Sequence, residues 1–224
     1  LELKLMKKKI AILGSTGSIG KTLLKVVDKN ASKFEILLLT AQKDHLNLIK
    51  QAKKFKVKNL IITNSKSYKI LKKNEKKLNI NVYNNFENLN KIFNKKIDYV
   101  MNSIVGFSGL QPTLNIIKFT KEIAIANKES IICGWNLILK LSSKNNTKIV
   151  PVDSEHFSLW SLIDNKKTNY NLNLNKKIKS VVLTASGGPF LNKSSDYIKN
   201  VSVSNATKHP TWKMGKKISI DSAT

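Results

Sequence analysis

The stretch Leu13-Gly14-Ser15-Thr16-Gly17-Ser18-Ile19-Gly20 decides the fold, because it joins an apolar run to a segment with helical spacing. The run Ile10–Leu13 predicts a buried strand, and residues 20–29 predict a helix. Glycines let the backbone turn sharply beside a phosphate, and the N–H groups that begin the helix supply positive charge there. The stretch therefore predicts a nucleotide site, although its Gly-x-x-Gly-x-x-Gly spacing leaves a purely structural turn open.

Residues 9–152 repeat this alternation of short apolar runs and amphipathic segments. Such alternation is typical of an α/β fold with a Rossmann-like, doubly wound and mostly parallel sheet. Further helices are predicted around Leu48–Phe55, Leu110–Ile117 and Ile131–Ile138. Further strands are predicted at Phe34–Thr40, Leu60–Thr63, Ile97–Val105, Ile123–Ala126 and Ile149–Val152.

The pattern changes after Val152. Residues 164–177 are polar and of low complexity, which predicts a solvated surface loop. Lys179–Ala185 is predicted to be a strand that leads into a turn at Ser186–Pro189, a backbone suited to an anion. The chain stops at Thr224 without a helix or cap that would close a domain, and we interpret this end as an interruption.

The 224 residues carry a formal net charge of +26, from 40 basic and 14 acidic residues, and every basic residue is lysine. A charge of this size ordinarily suggests a polyanionic partner. Sequence-specific readers of nucleic acids, however, depend on arginine, whose planar fork grips bases and phosphates. We therefore expect no nucleic-acid partner and attribute the lysines to a genome rich in A and U codons. A selected polyanion-binding surface is the alternative.

The remaining composition indicates a cytoplasmic protein. Cys133 is the single cysteine, which excludes an internal disulfide. No apolar run approaches the roughly 18 residues of a membrane-spanning helix, and the run after Met6 is too short for a signal peptide. Residues 1–5 precede Met6, whose context resembles a true start.

The second predicted strand ends in Gln42-Lys43-Asp44, where dinucleotide-binding folds distinguish NAD from NADP. An acidic residue at this place holds the ribose hydroxyls of NAD, whereas a cation accommodates the 2′-phosphate of NADP. Lys43 favours NADP, and Asp44 beside it makes the choice less distinct. An ordinary surface lysine is the alternative for Lys43.

Two further motifs follow predicted strand ends, where open α/β sheets place their ligands. The first, Ala-Asn-Lys-Glu-Ser, contains Lys128 and Glu129, which are either site residues or a surface lysine and a first-turn helix charge. In the second, Asp153 and Glu155 are two apart on a segment predicted to be extended, so both carboxylates would face one Mg²⁺ or Mn²⁺ ion. His156 is a third ligand, a proton-transfer group or a hydrogen-bonded structural residue.

The last motif occupies residues 208–224. His209, Trp212 and Met214 would be an unusual set for a core helix, and they predict a loop that folds over a ligand. Ser222 together with Ser186 is suited to binding a phosphate.

Together, the motifs resemble those of the 1-deoxy-D-xylulose 5-phosphate reductoisomerase family, in the family's order and over the chain from Met6 onward. They are Leu13–Gly20, Ala126–Ser130, Pro151–His156, Ser186–Phe190 and His209–Ser219. The resemblance implies an NADP-dependent oxidoreductase of the non-mevalonate isoprenoid pathway. Its substrate would be a phosphorylated sugar, 1-deoxy-D-xylulose 5-phosphate, which is isomerised and reduced to 2-C-methyl-D-erythritol 4-phosphate with NADPH and divalent Mg²⁺ or Mn²⁺.

The resemblance also implies the roles of residues. Residues 1–150 would bind NADPH, and residues 151–224 would be the first part of an α+β catalytic domain. Lys128, Glu155 and His209 would be catalytic, and Asp153 and Glu155 would bind the metal. Cofactor contacts are implied for Thr16, Gly17, Ser18, Ile19, Gln42, Lys43, Asp44, Asn127, Glu129 and Gly215. Substrate contacts are implied for Lys128, Ser154, Glu155, Ser186, His209 and Ser222, with Trp212 on a covering flap.

Family members are longer than this chain and are normally homodimers, and the segment that follows their Ser-Ala-Thr supplies the third metal ligand. We therefore expect the chain to be a truncated N-terminal portion that is inactive by itself. The family usually has Gly at the position of Gln42 and Asn at that of Asp44. Two alternatives stay open, a different NADP-dependent oxidoreductase and a basic RNA- or nucleotide-binding module.

Overall fold

The computed structural model describes residues 6–162, 179–182, 187–210 and 216–221. The chain divides into two compact units, residues 1–168 and residues 169–224. The boundary predicted at residue 150 separates two functions rather than two compact units, so it stays a prediction. The loop predicted at residues 164–177 lies outside the described residues.

A parallel sheet of seven strands forms the centre of the first unit. The strands are β1 (Lys8–Leu13), β2 (Phe34–Ala41), β3 (Asn59–Ile62), β4 (Asn81–Tyr83), β5 (Ile97–Asn102), β6 (Thr120–Ile125) and β7 (Lys148–Pro151). Their order is β4-β3-β2-β1-β5-β6-β7, so the chain builds from β1 to one edge and then returns to the other side of β1. This arrangement confirms the predicted doubly wound α/β fold.

Helices connect the strands and pack against the sheet. In the first unit they are α1 (Ser18–Lys29), α2 (His45–Phe55), α3 (Ser65–Lys73), α4 (Glu75–Leu78), α5 (Leu110–Ile116), α6 (Lys128–Lys144) and α7 (Ser154–Leu162). Short 3₁₀ turns lie at Leu89–Lys91, Gly106–Gly109 and Ile117–Phe119. The second unit contains α8 (Ser195–Lys199), α9 (Val203–Ala206) and α10 (Lys216–Asp221). Within the described ranges, every helix is too short or too polar to cross a bilayer.

Strand β1 shows why the sheet must be covered on both faces. Its consecutive residues Ile10, Ala11, Ile12 and Leu13 are all buried, and successive side chains of a strand point to opposite faces. A parallel sheet whose two faces are covered by helices has this continuous apolar pattern. Helix α1 supplies Leu24 and Val27 to the same core.

The strand predicted at Ile97–Val105 is too long, because β5 ends at Asn102. The side-chain amide of Asn102 donates to the Gly109 carbonyl at 2.9 Å and to Thr113 Oγ1 at 2.7 Å. Its Oδ1 accepts the N–H of Ile104 at 3.1 Å. The backbone of Asn102 is still paired in the sheet, while its side chain bonds to the residues that follow and fixes the turn by which the chain leaves the sheet.

Other differences concern element ends and a segment rich in lysine. The remaining predicted strands in the first unit differ from the observed ones by a few residues at their ends. Helices α3 and α4 and strand β4 were not predicted, because lysines follow the buried Leu71 and asparagines lie on both sides of the buried Val82. The strand predicted at Lys179–Ala185 is wrong over residues 179–182, which form no helix or strand because no described strand pairs with them. Residues 183–185 lie outside the described ranges.

Gly20 lies in α1 where the helix passes the loop that precedes it. A Cβ atom at this position would lie 2.5 Å from the carbonyl oxygen of Gly14 and 2.6 Å from the Cα of Ser15. Both distances are far below van der Waals contact, and both neighbours are backbone atoms. The absence of a side chain therefore allows α1 to begin this close to β1.

We predict that Gly20→Ala destabilises the protein by about 1–3 kcal/mol, as overpacking typically does. A decrease in the free energy of unfolding would point to the close contact, because replacing glycine by alanine inside a helix otherwise stabilises a protein by about 0.5–1 kcal/mol. Urea denaturation followed by circular dichroism measures the change.

Gly134→Ala is the matched control, since Gly134 is also helical but its added Cβ would meet the flexible end of the Leu110 side chain. We expect a smaller loss for this variant. A Gly20→Ala protein as stable as the parent would contradict the prediction.

Candidate functional site

The loop between β1 and α1 is held by hydrogen bonds from two neighbouring strands. The N–H of Gly14 donates to Thr40 Oγ1 at 2.9 Å, and the N–H of Ser15 donates to the Thr40 carbonyl at 2.9 Å. From the other side, Ser103 Oγ donates to the Leu13 carbonyl at 2.6 Å. Gly14 has a φ of +75°, a left-handed conformation that favours glycine. The loop is therefore rigidly placed before any ligand arrives.

The start of α1 is open to solvent. Gly17 occupies the N-cap position without a capping side chain, and the first turn contains no acidic residue. Thr16 is half-buried, whereas Gly17, Ser18 and Ile19 are exposed. The first N–H groups of α1 and the positive end of the helix dipole are thus available to an anion such as a pyrophosphate.

At the end of β2, Gln42 and Lys43 are exposed, whereas Asp44 is the N-cap of α2. Asp44 Oδ1 accepts the N–H of Asn47 at 3.1 Å, and Oδ2 accepts its side-chain amide at 2.8 Å. The side-chain bond from Asn47 is the main reason that the pKa of Asp44 is lowered. Both carboxylate oxygens of Asp44 are therefore engaged in starting α2.

At the end of β6, Asn127 is buried and is followed by the exposed Lys128 and Glu129 at the start of α6. Lys128 Nζ lies 3.6 Å from Glu155 Oε1 on α7, and both side chains are partly exposed. This ion pair brings together the starts of two helices that follow neighbouring strands. Glu129 also fits the structural alternative of a favourable charge in the first turn.

The extended conformation predicted around Asp153 and Glu155 is wrong, because α7 begins at Ser154, directly after Asp153. Asp153 Oδ1 accepts the N–H of His156 at 2.9 Å and lies 2.7 Å from His156 Nδ1. A carboxylate that accepts an N–H three residues onward is a typical helix cap, and it starts the helix here. His156 therefore makes the contacts of a hydrogen-bonded structural residue, which was one of the three roles considered for it.

The other oxygen of Asp153 is oriented differently. Oδ2 is buried and accepts no hydrogen bond from the described residues. Burial acts to raise the pKa of Asp153, but the hydrogen bonds from His156 outweigh it and lower the pKa. An ionised, inward-facing oxygen beside a second carboxyl group fits a hard divalent cation. No cluster of three His, Cys, Asp or Glu residues within the described ranges could hold a metal, so these two carboxylates are an incomplete ligand set.

The roles of the remaining predicted site residues stay predictions. His209 is half-buried and lies in the second unit after α9. The predicted covering loop includes α10 in its second half. Ser154 starts α7. Four predicted residues lie outside the described ranges: Ser186, Trp212, Gly215 and Ser222.

Two residues of the site were missed from the sequence. Asn102 is the last residue of β5 and Ser103 follows it, and both hold the neighbouring loops, yet they were included in a strand that was predicted too long. Two polar residues at the end of the apolar run Ile97–Met101 are the signal that could have revealed them. A polar pair at the carboxyl end of a central strand is placed beside the ligand crevice of such a sheet.

A cavity of about 330 Å³ lies elsewhere in the first unit, between α1 and the amino-terminal parts of several strands. It is lined by Lys8, Ile10, Leu23, Val26, Val27, Phe34, Asp98, Tyr99 and Glu122. None of these is a predicted site residue, and the carboxyl edge of the sheet therefore remains the candidate site.

Two family models match the chain in sequence order. The model described as 1-deoxy-D-xylulose 5-phosphate reductoisomerase matches residues 10–134. The model of the C-terminal domain of the same enzyme matches residues 149–224. The two matches together include every motif that suggested the family.

Individual relatives agree with the family models. The reductoisomerase of Pelagibacter ubique strain HTCC1062 is 58% identical over 219 residues, which cover 97% of this chain and 55% of the relative. A reductoisomerase structure from Zymomonas mobilis in complex with NADPH has a TM-score of 0.80 and 30% identity, and the match covers 97% of this chain and 54% of that one. Another, in complex with NADPH, fosmidomycin and magnesium, has a TM-score of 0.83 and 34% identity over 96% of this chain and 54% of its own.

The chain thus spans about half the length of the relatives that it matches. The glycine loop lies within the residues that the first model matches, and the paired carboxylates lie within those that the second model matches. This chain belongs to the 1-deoxy-D-xylulose 5-phosphate reductoisomerase family.

Proposed function

We propose that this chain is part of an NADP-dependent oxidoreductase that converts 1-deoxy-D-xylulose 5-phosphate to 2-C-methyl-D-erythritol 4-phosphate in isoprenoid synthesis. One observation carries the proposal: the open start of α1 and the carboxylates of Asp153 and Glu155 follow strands of one parallel sheet. The carboxyl ends of parallel strands share an edge, so a dinucleotide and a cation would be bound on the same side. NADPH and magnesium in the relatives' structures support these two ligands.

NADPH would bind across the carboxyl ends of β1 and β2. Thr16, Gly17, Ser18 and Ile19 would surround the pyrophosphate, because their backbone opens at the helix start. Gln42 and Lys43 are exposed and would receive the 2′-phosphate. Both oxygens of Asp44 accept hydrogen bonds from Asn47 at the start of α2, so we expect Asp44 to make little direct contact with the cofactor. Glu129 and Gly215 would complete the contacts.

Asp153 and Glu155 would hold Mg²⁺ or Mn²⁺ next to the ammonium group of Lys128. When bound, NADPH supplies a hydride and the cation stabilises negative charge on substrate oxygens. Lys128 is partly exposed and would neutralise an oxyanion that develops beside the start of α6. Lys128, Glu155 and His209 would act on the substrate, with Ser154, Ser186 and Ser222 as further contacts to its hydroxyl and phosphate groups.

We further propose that the complete enzyme is a cytoplasmic homodimer without a nucleic-acid or membrane partner. Its activity is tested by the oxidation of NADPH on addition of 1-deoxy-D-xylulose 5-phosphate and Mg²⁺ to a protein extended to the length of the relatives. We expect the 224-residue chain to bind NADPH without turnover. Oxidation that does not require a divalent metal would contradict the proposed reaction.

We predict that Lys43→Gln weakens the binding of NADPH by about tenfold and leaves that of NADH almost unchanged. The expected size corresponds to the loss of one charge-assisted hydrogen bond, about 1.5 kcal/mol. Titration of the 224-residue chain, followed by the fluorescence of the reduced nicotinamide, measures both constants.

Lys50→Gln is the control, since Lys50 is an exposed lysine farther along α2. It removes the same charge and should change neither constant. Equal losses for NADPH and NADH in Lys43→Gln would exclude Lys43 as a contact of the 2′-phosphate.

We predict that Mn²⁺ broadens the amide NMR signals near the starts of α6 and α7 in the 224-residue chain. Asp153→Asn and Glu155→Gln should each require much more Mn²⁺ for the same broadening, because each removes one anionic ligand. Asparagine still caps a helix, so Asp153→Asn should retain α7.

Asp28→Asn serves as the control for charge alone, because Asp28 is an exposed carboxylate paired with Lys54 at 2.6 Å. Its broadening pattern should match that of the unaltered chain. Equal broadening in Asp153→Asn and in the parent would show that the ion binds elsewhere.

A further inference from the structure

The side chain of Gln51 on α2 reaches back to the glycine loop between β1 and α1. Its Nε2 donates to the Ser15 carbonyl at 3.0 Å, and its Oε1 accepts the hydroxyl of Ser15 at 2.7 Å. Ser15 is fully buried, and Gln51 is half-buried. One amide group thus bonds to a backbone atom and to a side-chain atom of the same loop residue. Two such bonds fix the loop against α2 in both distance and orientation.

The same helix begins at the other candidate phosphate contact. Helix α2 follows directly after the exposed Gln42 and Lys43, and Asp44 is its N-cap through a hydrogen bond from Asn47. Gln51 lies about two helical turns beyond this cap. A short, regular length of helix therefore joins the contact between Gln51 and Ser15 to the residues proposed to receive the 2′-phosphate.

A separate set of hydrogen bonds holds the glycine loop to β2. The N–H groups of Gly14 and Ser15 donate to the hydroxyl and the carbonyl oxygen of Thr40, each at 2.9 Å. The hydroxyl of Ser15 also lies 3.2 Å from the Thr40 carbonyl. These bonds do not involve Gln51, so the loop stays attached to the sheet when Gln51 is replaced. Gln51 fixes the loop to the helix rather than to the strand.

We propose that Gln51 is a positioning residue, which sets the separation between two phosphate subsites for NADPH. One subsite is the open start of α1 for the pyrophosphate, and the other is the segment of Gln42 and Lys43 for the 2′-phosphate. Gln51 acts through Ser15, with which both of its polar atoms are engaged. A ligand with two phosphates gains affinity from both only where geometry allows them to bind at once. The inference rests on the proposed NADPH site.

The experiment compares three nucleotides in the 224-residue chain and in its Gln51→Met variant, whose side chain has a similar length but cannot make these bonds. Adenosine 2′-phosphate and 5′-phosphate each test one subsite, and adenosine 2′,5′-bisphosphate tests both together. We expect the dissociation constant of the bisphosphate to rise about tenfold, the size expected for one lost hydrogen bond. The constants of the two monophosphates should stay nearly unchanged. Amide NMR titration measures all three.

A double-mutant cycle tests whether Gln51 acts through Ser15. Ser15→Ala removes one of the two bonds and should weaken the bisphosphate less than Gln51→Met does. Two replacements that break the same interaction are not additive. The double variant should therefore bind the bisphosphate as Gln51→Met does.

Lys54→Gln is the control for contacts between the same two helices. It breaks the exposed ion pair of Lys54 on α2 with Asp28 on α1, whose charged atoms lie 2.6 Å apart. An exposed pair of this kind contributes little to stability. This variant should leave the three dissociation constants unchanged.

The outcomes separate the inference from the proposed function. Equal weakening of all three nucleotides in Gln51→Met would indicate a general loss of structure and would overturn the inference. An unchanged constant for the bisphosphate would overturn it as well, while the NADPH site itself would stand. If the unaltered chain binds none of the three nucleotides, the proposed NADPH site is wrong and the inference falls with it.

Discussion

The close approach of Gly20 to the backbone at Gly14 and Ser15 is the contact on which the first unit depends. Because residue 20 has no side chain, α1 begins directly at the end of β1. Ser15 can then bond to the Thr40 carbonyl and exchange hydrogen bonds with Gln51 of α2. The position of α1 is thereby linked to β2 and α2, and its open end faces the carboxyl edge of the sheet.

Two aspartates at this edge of the sheet, Asp44 and Asp153, are helix caps next to candidate site residues. Both carboxylate oxygens of Asp44 accept hydrogen bonds from Asn47 at the start of α2. One oxygen of Asp153 caps α7, whereas the other is buried and has no hydrogen-bond partner among the described residues. Helix caps place charged groups accurately, because the cap and the first turn of the helix determine each other's geometry. The residue type alone did not show that one aspartate has both oxygens hydrogen-bonded and the other has one.

Most of the positive charge of the chain lies outside the candidate site. No lysine whose exposure the structure describes is buried, and most of these side chains project from helices and loops into solvent. Lys128, like several surface lysines, pairs with a carboxylate, but its partner Glu155 is a candidate site residue at the start of the neighbouring helix. A net charge of +26 therefore describes the surface of the protein, whereas the candidate site depends on a few lysines with defined neighbours.

Sequence alone was sufficient for the doubly wound fold, the glycine loop and the family, because apolar periodicity and motif order are local properties of the chain. It failed where a side chain bonds to a distant segment. Asn102 ends β5 through Gly109 and Thr113, and Asn127 binds carbonyl groups more than 20 residues away. The sequence could name Asp153 and Glu155 as a pair, but only the tertiary structure decided that Glu155 is the ion-pair partner of Lys128. The physical reason is that a hydrogen bond or ion pair depends on where packing brings two groups together, and no local pattern records that distance.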